Sequence, residues 1–303
     1  MINFILIALC LSLGVFFRRS GKVPKDAHRG INAWLINVGL PAVSFKYLPS
    51  VFFTRDLLMP ALAPVLVWAM GWMYVRIYTS RHPLSRPASG GLQLSSSLSN
   101  TSFVGFPLIM AYFSEEAIGV GIICDQVTFL LLSTVGIMTA MRAAPGHAWS
   151  LSSLVRRLLS FPPVWGCALA LLLPRLIDIR PVYPLANALA ATVAPLALFS
   201  IGLQLRLDGW RSELKRIRVA LLYKLLLAPA IVLLFAVVCG FKGLPARIAV
   251  FEAAMPTLLT SGIIADQYEL DPRMVNLTIG ISILLSLVTT WIWYTVISIP
   301  GLL

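Results

Sequence analysis

Long apolar runs alternate with short basic or polar connections along the whole chain. A helix needs about 20 mostly apolar residues to cross the hydrocarbon core of a bilayer. Ten stretches meet that condition: 1–17, 31–48, 57–78, 90–113, 117–141, 161–177, 185–205, 219–240, 244–267 and 274–299. The pattern predicts an all-α polytopic membrane protein with ten transmembrane helices. The opening "MINFILIALCLSLGVFFRRSGK" has no basic residue ahead of its apolar run and no small-residue cleavage site, so it reads as a retained helix and not a signal peptide.

Charge fixes the expected orientation. Threading the spans alternately from an outside N-terminus makes 18–30, 79–89, 142–160, 206–218 and 268–273 the cytoplasmic connections. With Arg76 at the adjoining helix end, these hold 17 of the 24 Lys and Arg residues. Cytoplasmic loops carry such an excess, so both termini are expected outside the cytoplasm. Only 12% of residues are charged and mean hydropathy is +0.87, against about 25% charged residues in soluble domains. The net charge of +12 lies in clusters between apolar runs, which argues against a nucleic-acid partner. Cys10, Cys124, Cys167 and Cys239 all fall within apolar runs and read as small hydrophobes rather than disulfide partners. The histidines show no metal-ligand spacing.

The two halves repeat weakly, as residues 1–141 and 161–299. "VGLPAVSF" in span 2 answers "TVAPLALF" in span 7, and "APVLV" in span 3 answers "APAIV" in span 8. Pro107 in span 4 answers Pro256 in span 9, and "LLLSTV" in span 5 answers "ILLSLV" in span 10. With five spans per half, the second half enters the membrane in the opposite sense. This 5+5 inverted repeat is an arrangement common among secondary transporters.

Spans 4 and 9 carry unusual residues. "SSSLSNTSFVGFP" and "FEAAMPTLLTSG" surround Pro107 and Pro256 with hydroxyls, an amide, a carboxylate and glycines near mid-membrane. Proline removes a helix hydrogen bond, and unwound backbone survives in a membrane only within protein or beside a cavity. Spans 4 and 9 are therefore expected to be discontinuous and crossing, whereas Pro41, Pro64, Pro195 and Pro229 read as kinks. Proline suits the first turn of a helix, so Pro107 and Pro256 are expected to begin the second halves. Two half-helix N-termini, each worth about half a positive charge, would then favour an anion, most plausibly a carboxylate. The ends of the first halves would favour a cation.

Glu252 lies four residues before Pro256, and a carboxylate at a helix centre costs about 2.5–3.5 kcal/mol on insertion scales. It reads as a ligand for Na⁺ or a carrier of H⁺, or else as a protonated or Lys/Arg-paired structural group. Asp125 is placed to hydrogen-bond a broken helix or to serve a structural role, and Asp266 to be solvated at the membrane surface. Lys224, about one turn inside span 8, is expected to snorkel to the cytoplasmic surface. Asn100 and Thr101 would contact solute or ion, or cap the broken end of span 4.

"NTSFVGFPLI" in span 4 and "EAAMPTLLTSGIIADQYELDP" in span 9 resemble the auxin efflux carrier family, which includes the plant PIN-formed carriers and bacterial permeases. That family is similar in architecture to bile acid:sodium symporters, in which two discontinuous helices cross in a transport domain that moves against a scaffold. The resemblance implies a transport domain of spans 3–5 and 8–10, a scaffold of spans 1, 2, 6 and 7, and a homodimer formed through the scaffold. It places substrate binding at Asn100, Thr101, Gly105, Pro107, Pro256 and Thr257. Plant carriers tend to have a neutral Gln where this chain has Glu252, and are thought to work without a coupling ion. "EAAM" (Glu252 to Met255) and "SN" (Ser99, Asn100) instead resemble the sodium symporters, which makes Ser99, Asn100, Thr128, Ser133, Glu252 and Met255 the expected Na⁺ ligands.

The resulting expectation is an elevator-type secondary transporter of a small organic anion, coupled to Na⁺ and needing no cofactor. The alternatives are a proton-coupled or uncoupled facilitator, or a membrane sensor that binds the solute. An intramembrane enzyme is disfavoured, because the spans hold no paired carboxylates, His cluster, or Ser with a plausible base.

Overall fold

A computed structural model describes residues 2–24, 26–50, 54–144, 162–205 and 208–303. Regular structure among them is helical, apart from one isolated antiparallel bridge between Ser99 and Thr257. Among the described residues six helices are long and apolar enough to cross a membrane: Ile2–Arg19, Arg55–Arg81, Ile118–Ala143, Arg180–Gln204, Trp210–Val238 and Pro272–Ile297. Thr101–Tyr112 and Pro162–Leu176 are shorter apolar helices. The expected connection at 142–160 lies mostly outside the described residues.

Side chains are distributed as a lipid solvent demands. Trp72, Leu130, Val288 and Trp291 are exposed, whereas Ser95, Ser96, Thr278, Ser282, Ser286 and Thr290 are fully buried. Water would drive the reverse sorting. Several buried helix hydroxyls bond to the preceding turn, as Thr278 does to the Met274 carbonyl (2.9 Å) and Thr290 to that of Ser286 (2.6 Å). The chain is a multi-pass membrane protein.

The residues divide into two compact units. One comprises the described residues of 1–53, 102–122 and 155–205, the other those of 54–101, 123–154 and 206–303. In the first unit, the Ile2–Arg19 helix packs on Val193–Gln204 through facing glycines. A Cβ on Gly14 would lie 2.3 Å from the Phe199 oxygen and 2.8 Å from the Gly202 Cα. Small residues permit this close backbone approach, on which helix association in lipid depends. Ser200 Oγ donates to Asn32 Oδ1 (2.6 Å) and Trp34 Nε1 to Thr192 Oγ1 (3.2 Å). Lys46 pairs with Glu115 at 3.1 Å.

In the second unit, helices Leu58–Arg81, Arg86–Ser97, Gly243–Ala253, Leu259–Gln267 and Pro272–Ile297 enclose a core rich in serine and threonine. Arg216 bridges Glu213 and Asp271.

Three prolines share a local device. Pro41, Pro107 and Pro229 each stand two residues beyond a π turn, at Leu35–Gly39, Thr101–Gly105 and Tyr223–Leu227 respectively. Proline lacks a donor, and its ring collides with a carbonyl of the preceding turn. The wider i→i+5 turn shifts the hydrogen-bond ladder by one residue and admits the ring without ending the helix. Pro64 sits inside Leu58–Arg81 with no such turn.

Candidate functional site

The polar centre of the second unit is built from two helix interruptions. The helix Arg86–Ser97 starts with the Ser85 side chain accepting the Ala88 N–H (3.3 Å) and with a proline in its first turn. Its small residues let other backbone come close: a Cβ on Gly91 would lie 2.2 Å from the Leu270 oxygen. The helix stops at Ser97 because Leu98 turns extended, at φ −117 and ψ 129. The helix Gly243–Ala253 ends differently, at Ala254 with φ −80 and ψ −3, and helix resumes only at Leu259.

The two interruptions pair as short antiparallel strands. Asn100 N–H donates to the Pro256 carbonyl (2.8 Å), and Leu258 N–H to the Leu98 carbonyl (3.1 Å). Thr257 fastens the crossing twice more. Its hydroxyl donates to the Ser95 carbonyl (2.7 Å), and its N–H donates to Ser282 Oγ (3.1 Å). Backbone freed from helical bonding thus finds protein partners where lipid offers none. Thr257→Val keeps the shape and strands the Ser95 carbonyl, so it should destabilise by about 1–3 kcal/mol. A melting temperature equal to that of wild type in detergent would contradict this role.

Both prolines lie elsewhere than expected. Pro107 is not at the interruption of span 4. The break is Leu98–Asn100, helix resumes at Thr101, and the π turn before Pro107 lets the ring fit inside a continuing helix. Pro256 lies within the extended break itself, three residues before Leu259 begins the second half of span 9. No side chain caps that helix start. Of the expected substrate residues, Asn100, Thr101, Pro256 and Thr257 belong to the second unit, and Gly105 and Pro107 to the first.

Lys224 departs furthest from expectation. It does not snorkel to a surface but is fully buried. Its ammonium donates to Ser99 Oγ (2.7 Å) and to the carbonyl of Ala253 (2.9 Å), the last residue of its half-helix. Lys224 continues the buried face of its helix, four residues after Ala220 and seven after Ile217. On the π turn Tyr223–Leu227, the residues Tyr223, Lys224 and Leu225 are buried while Leu226 is exposed. Tyr223 donates to the Val67 carbonyl (2.6 Å), and Trp293 to that of Leu225 (2.8 Å), fixing this orientation.

Glu252 is also buried, and neither of its carboxylate oxygens has a hydrogen-bond partner. It lines a cavity of about 10 Å³ together with Ser99, Thr101, Cys124 and Thr128. The Thr128 hydroxyl is likewise buried without a partner. Asp125, next to Cys124, accepts from Thr101 Oγ1 at 2.7 Å. Glu252 interacts electrostatically with Lys224 and Asp125, and no ion pair within 4.0 Å joins it to Lys224. Ser99, Thr128 and Glu252 from the expected Na⁺ set line the cavity, and Asn100, Ser133 and Met255, although buried, do not. Among the described residues no group of three or more His, Cys, Asp or Glu could hold a metal.

A larger cavity in the same unit, about 490 Å³, is lined by Arg76, Arg86, Arg142 and Gln93, with no carboxylate on its wall. Gln93 Nε2 donates to Ser97 Oγ at 2.7 Å, linking this wall to the last residue before the break.

Residues 1–294 match the model of a family described as membrane transport protein. Over 295 residues the chain is 23% identical to an uncharacterized transporter of Methanothermobacter thermautotrophicus, covering 94% of each protein. Over 300 residues it is 25% identical to an uncharacterized transporter of Methanocaldococcus jannaschii, covering 95% of this chain and 96% of that one. Both relatives are named as transporters and neither as an enzyme.

Proposed function

The chain belongs to the membrane transport protein family, and from that premise we propose that it is a secondary carrier of a small organic anion, a carboxylate, working by alternating access. The observation that carries this reading is the pairing of Leu98–Asn100 with Pro256–Leu258. Two half-helices start beside this pairing, at Thr101 and Leu259, and helix starts attract anions through their N–H groups and dipole. The arginine-lined cavity adds attraction of the same sign.

An elevator mechanism is part of the proposal, with spans 3–5 and 8–10 moving against spans 1, 2, 6 and 7. The division into two compact units supports it for spans 3, 8, 9 and 10 and for the four scaffold spans. Residues 102–122, which group with the latter, fit it less well.

For coupling, the geometry favours a proton-coupled or uncoupled carrier over a Na⁺-coupled one. Of the six expected Na⁺ ligands, Ser99, Thr128 and Glu252 line the small cavity and Asn100, Ser133 and Met255 do not, and the Ser99 hydroxyl already accepts from an ammonium.

A panel of mono- and dicarboxylates tests the reading. At least one should raise the melting temperature of wild type but not of Pro256→Ala, in which the interruption is free to close into helix. The same compound should enter proteoliposomes at equal rates in Na⁺ and K⁺ media. If every anion stabilised the two proteins alike, the crossing would not be the binding site.

A further inference from the structure

We infer that Lys224 is the resident cation of the crossing: its ammonium holds the position that a coupling metal ion would take, and removing it converts the pocket into a Na⁺ site. The inference rests on the carrier reading for its meaning, but its geometry stands alone. A small hard cation seeks oxygen donors from hydroxyls, main-chain carbonyls and carboxylates. Ser99 Oγ and the Ala253 carbonyl supply the first two, and the ammonium bonds to both. Ala253 ends its half-helix, where the helix dipole concentrates about half a negative charge. Glu252, one residue earlier, presents two unpartnered oxygens to an adjoining cavity of about 10 Å³, room for roughly one water-sized occupant.

The charged and titratable groups around Lys224 are few. Glu252 comes from its own half-helix, Asp125 and Cys124 from the Ile118–Leu131 helix, and Tyr223 adjoins Lys224 on the π turn. Glu252 is the carboxylate that interacts with Lys224, and Asp125 interacts in turn with Glu252. With the ammonium present, a second cation at the cavity would meet a like charge in a medium that screens poorly. With the ammonium gone, the Ala253 carbonyl, Ser99, Thr128 and Glu252 are left as an all-oxygen donor set. A lysine fixed by two hydrogen bonds thus does permanently what a bound metal ion would do only while bound.

Thermal melts of the purified full-length protein in NaCl, LiCl, KCl and choline chloride test this at constant ionic strength. Wild type should melt at one temperature in all four salts. Lys224→Ala should melt lower than wild type in KCl and recover saturably in NaCl, by on the order of 5 °C. Lys224→Met fills the same channel with apolar atoms and should show no recovery. Adding Glu252→Gln to Lys224→Ala should abolish it. Saturable stabilisation of wild type by Na⁺ over K⁺ would overturn the inference even if no variant folded, as would a Lys224→Ala protein indifferent to the cation. These melts measure cation binding without transport. Failure to move any carboxylate would therefore remove the carrier reading and leave Lys224 as the resident cation.

Discussion

Glu252→Gln is expected to lower the uptake of the proposed carboxylate substrate at least about tenfold, while the purified variant melts within a few degrees of wild type. A buried carboxylate costs several kcal/mol unless its surroundings compensate, and both oxygens of Glu252 lack hydrogen-bond partners. The fold therefore does not lean on this side chain. Lys224 keeps Ser99 and Ala253 in the variant, and glutamine fills the same space, with the Thr128 hydroxyl on the same cavity wall. What disappears is the charge that interacts with Lys224, which in the proposed carrier would balance it as the site changes its exposure. Charged groups within membrane spans are retained mainly where function needs them. The check is the initial uptake rate into proteoliposomes, normalised to folded protein, beside the melting temperature. Wild-type uptake by the variant would remove Glu252 from the mechanism. A large loss of stability with proportionate loss of uptake would make it a structural group.

Gly202→Val should prevent recovery of a monodisperse protein. A Cβ on Gly202 would lie 2.4 Å from the Leu11 oxygen and 2.9 Å from the Gly14 Cα. These are backbone atoms, which cannot step aside as a side-chain tip can, so the Ile2–Arg19 and Val193–Gln204 helices must separate. Overpacking of this kind costs about 3 kcal/mol or more, and in lipid no hydrophobic force draws the helices back together. Gly30→Ala is the control, because a Cβ there meets nothing within 4 Å. Size-exclusion profiles in detergent should show aggregate for Gly202→Val and an unaltered peak for Gly30→Ala. A normal peak for Gly202→Val would show that the glycine contact is dispensable.

The interruptions in spans 4 and 9 were legible because their composition is extreme: runs of Ser, Asn and Thr with Gly and Pro have no reason to lie in lipid. Asp125 was legible as a partner for a broken helix, and it accepts from Thr101. The position of the break in span 4 was not. Proline is the expected marker, but a π turn absorbs Pro107, and the break instead falls at Leu98–Asn100, which includes the polar Ser99 and Asn100. Lys224 is expected to snorkel because it lies about one turn inside span 8. It stands four residues after Ala220 and seven after Ile217, on the buried face of its helix, and stays buried there. The available signal was a lysine five residues before a proline in an otherwise apolar span. Small-residue contacts such as Gly14 with Gly202 leave no trace in hydropathy, because they depend on which helices are neighbours.

The antiparallel bridge has a mechanical consequence. Sliding either interrupted helix along its axis by one residue would break the Asn100–Pro256 and Leu258–Leu98 bonds, with no solvent at hand to replace them. The crossing behaves as a rivet that resists shear between the two interrupted helices. In the proposed carrier, a cargo seated against it would be conveyed together with its seat and would not thread through the joint.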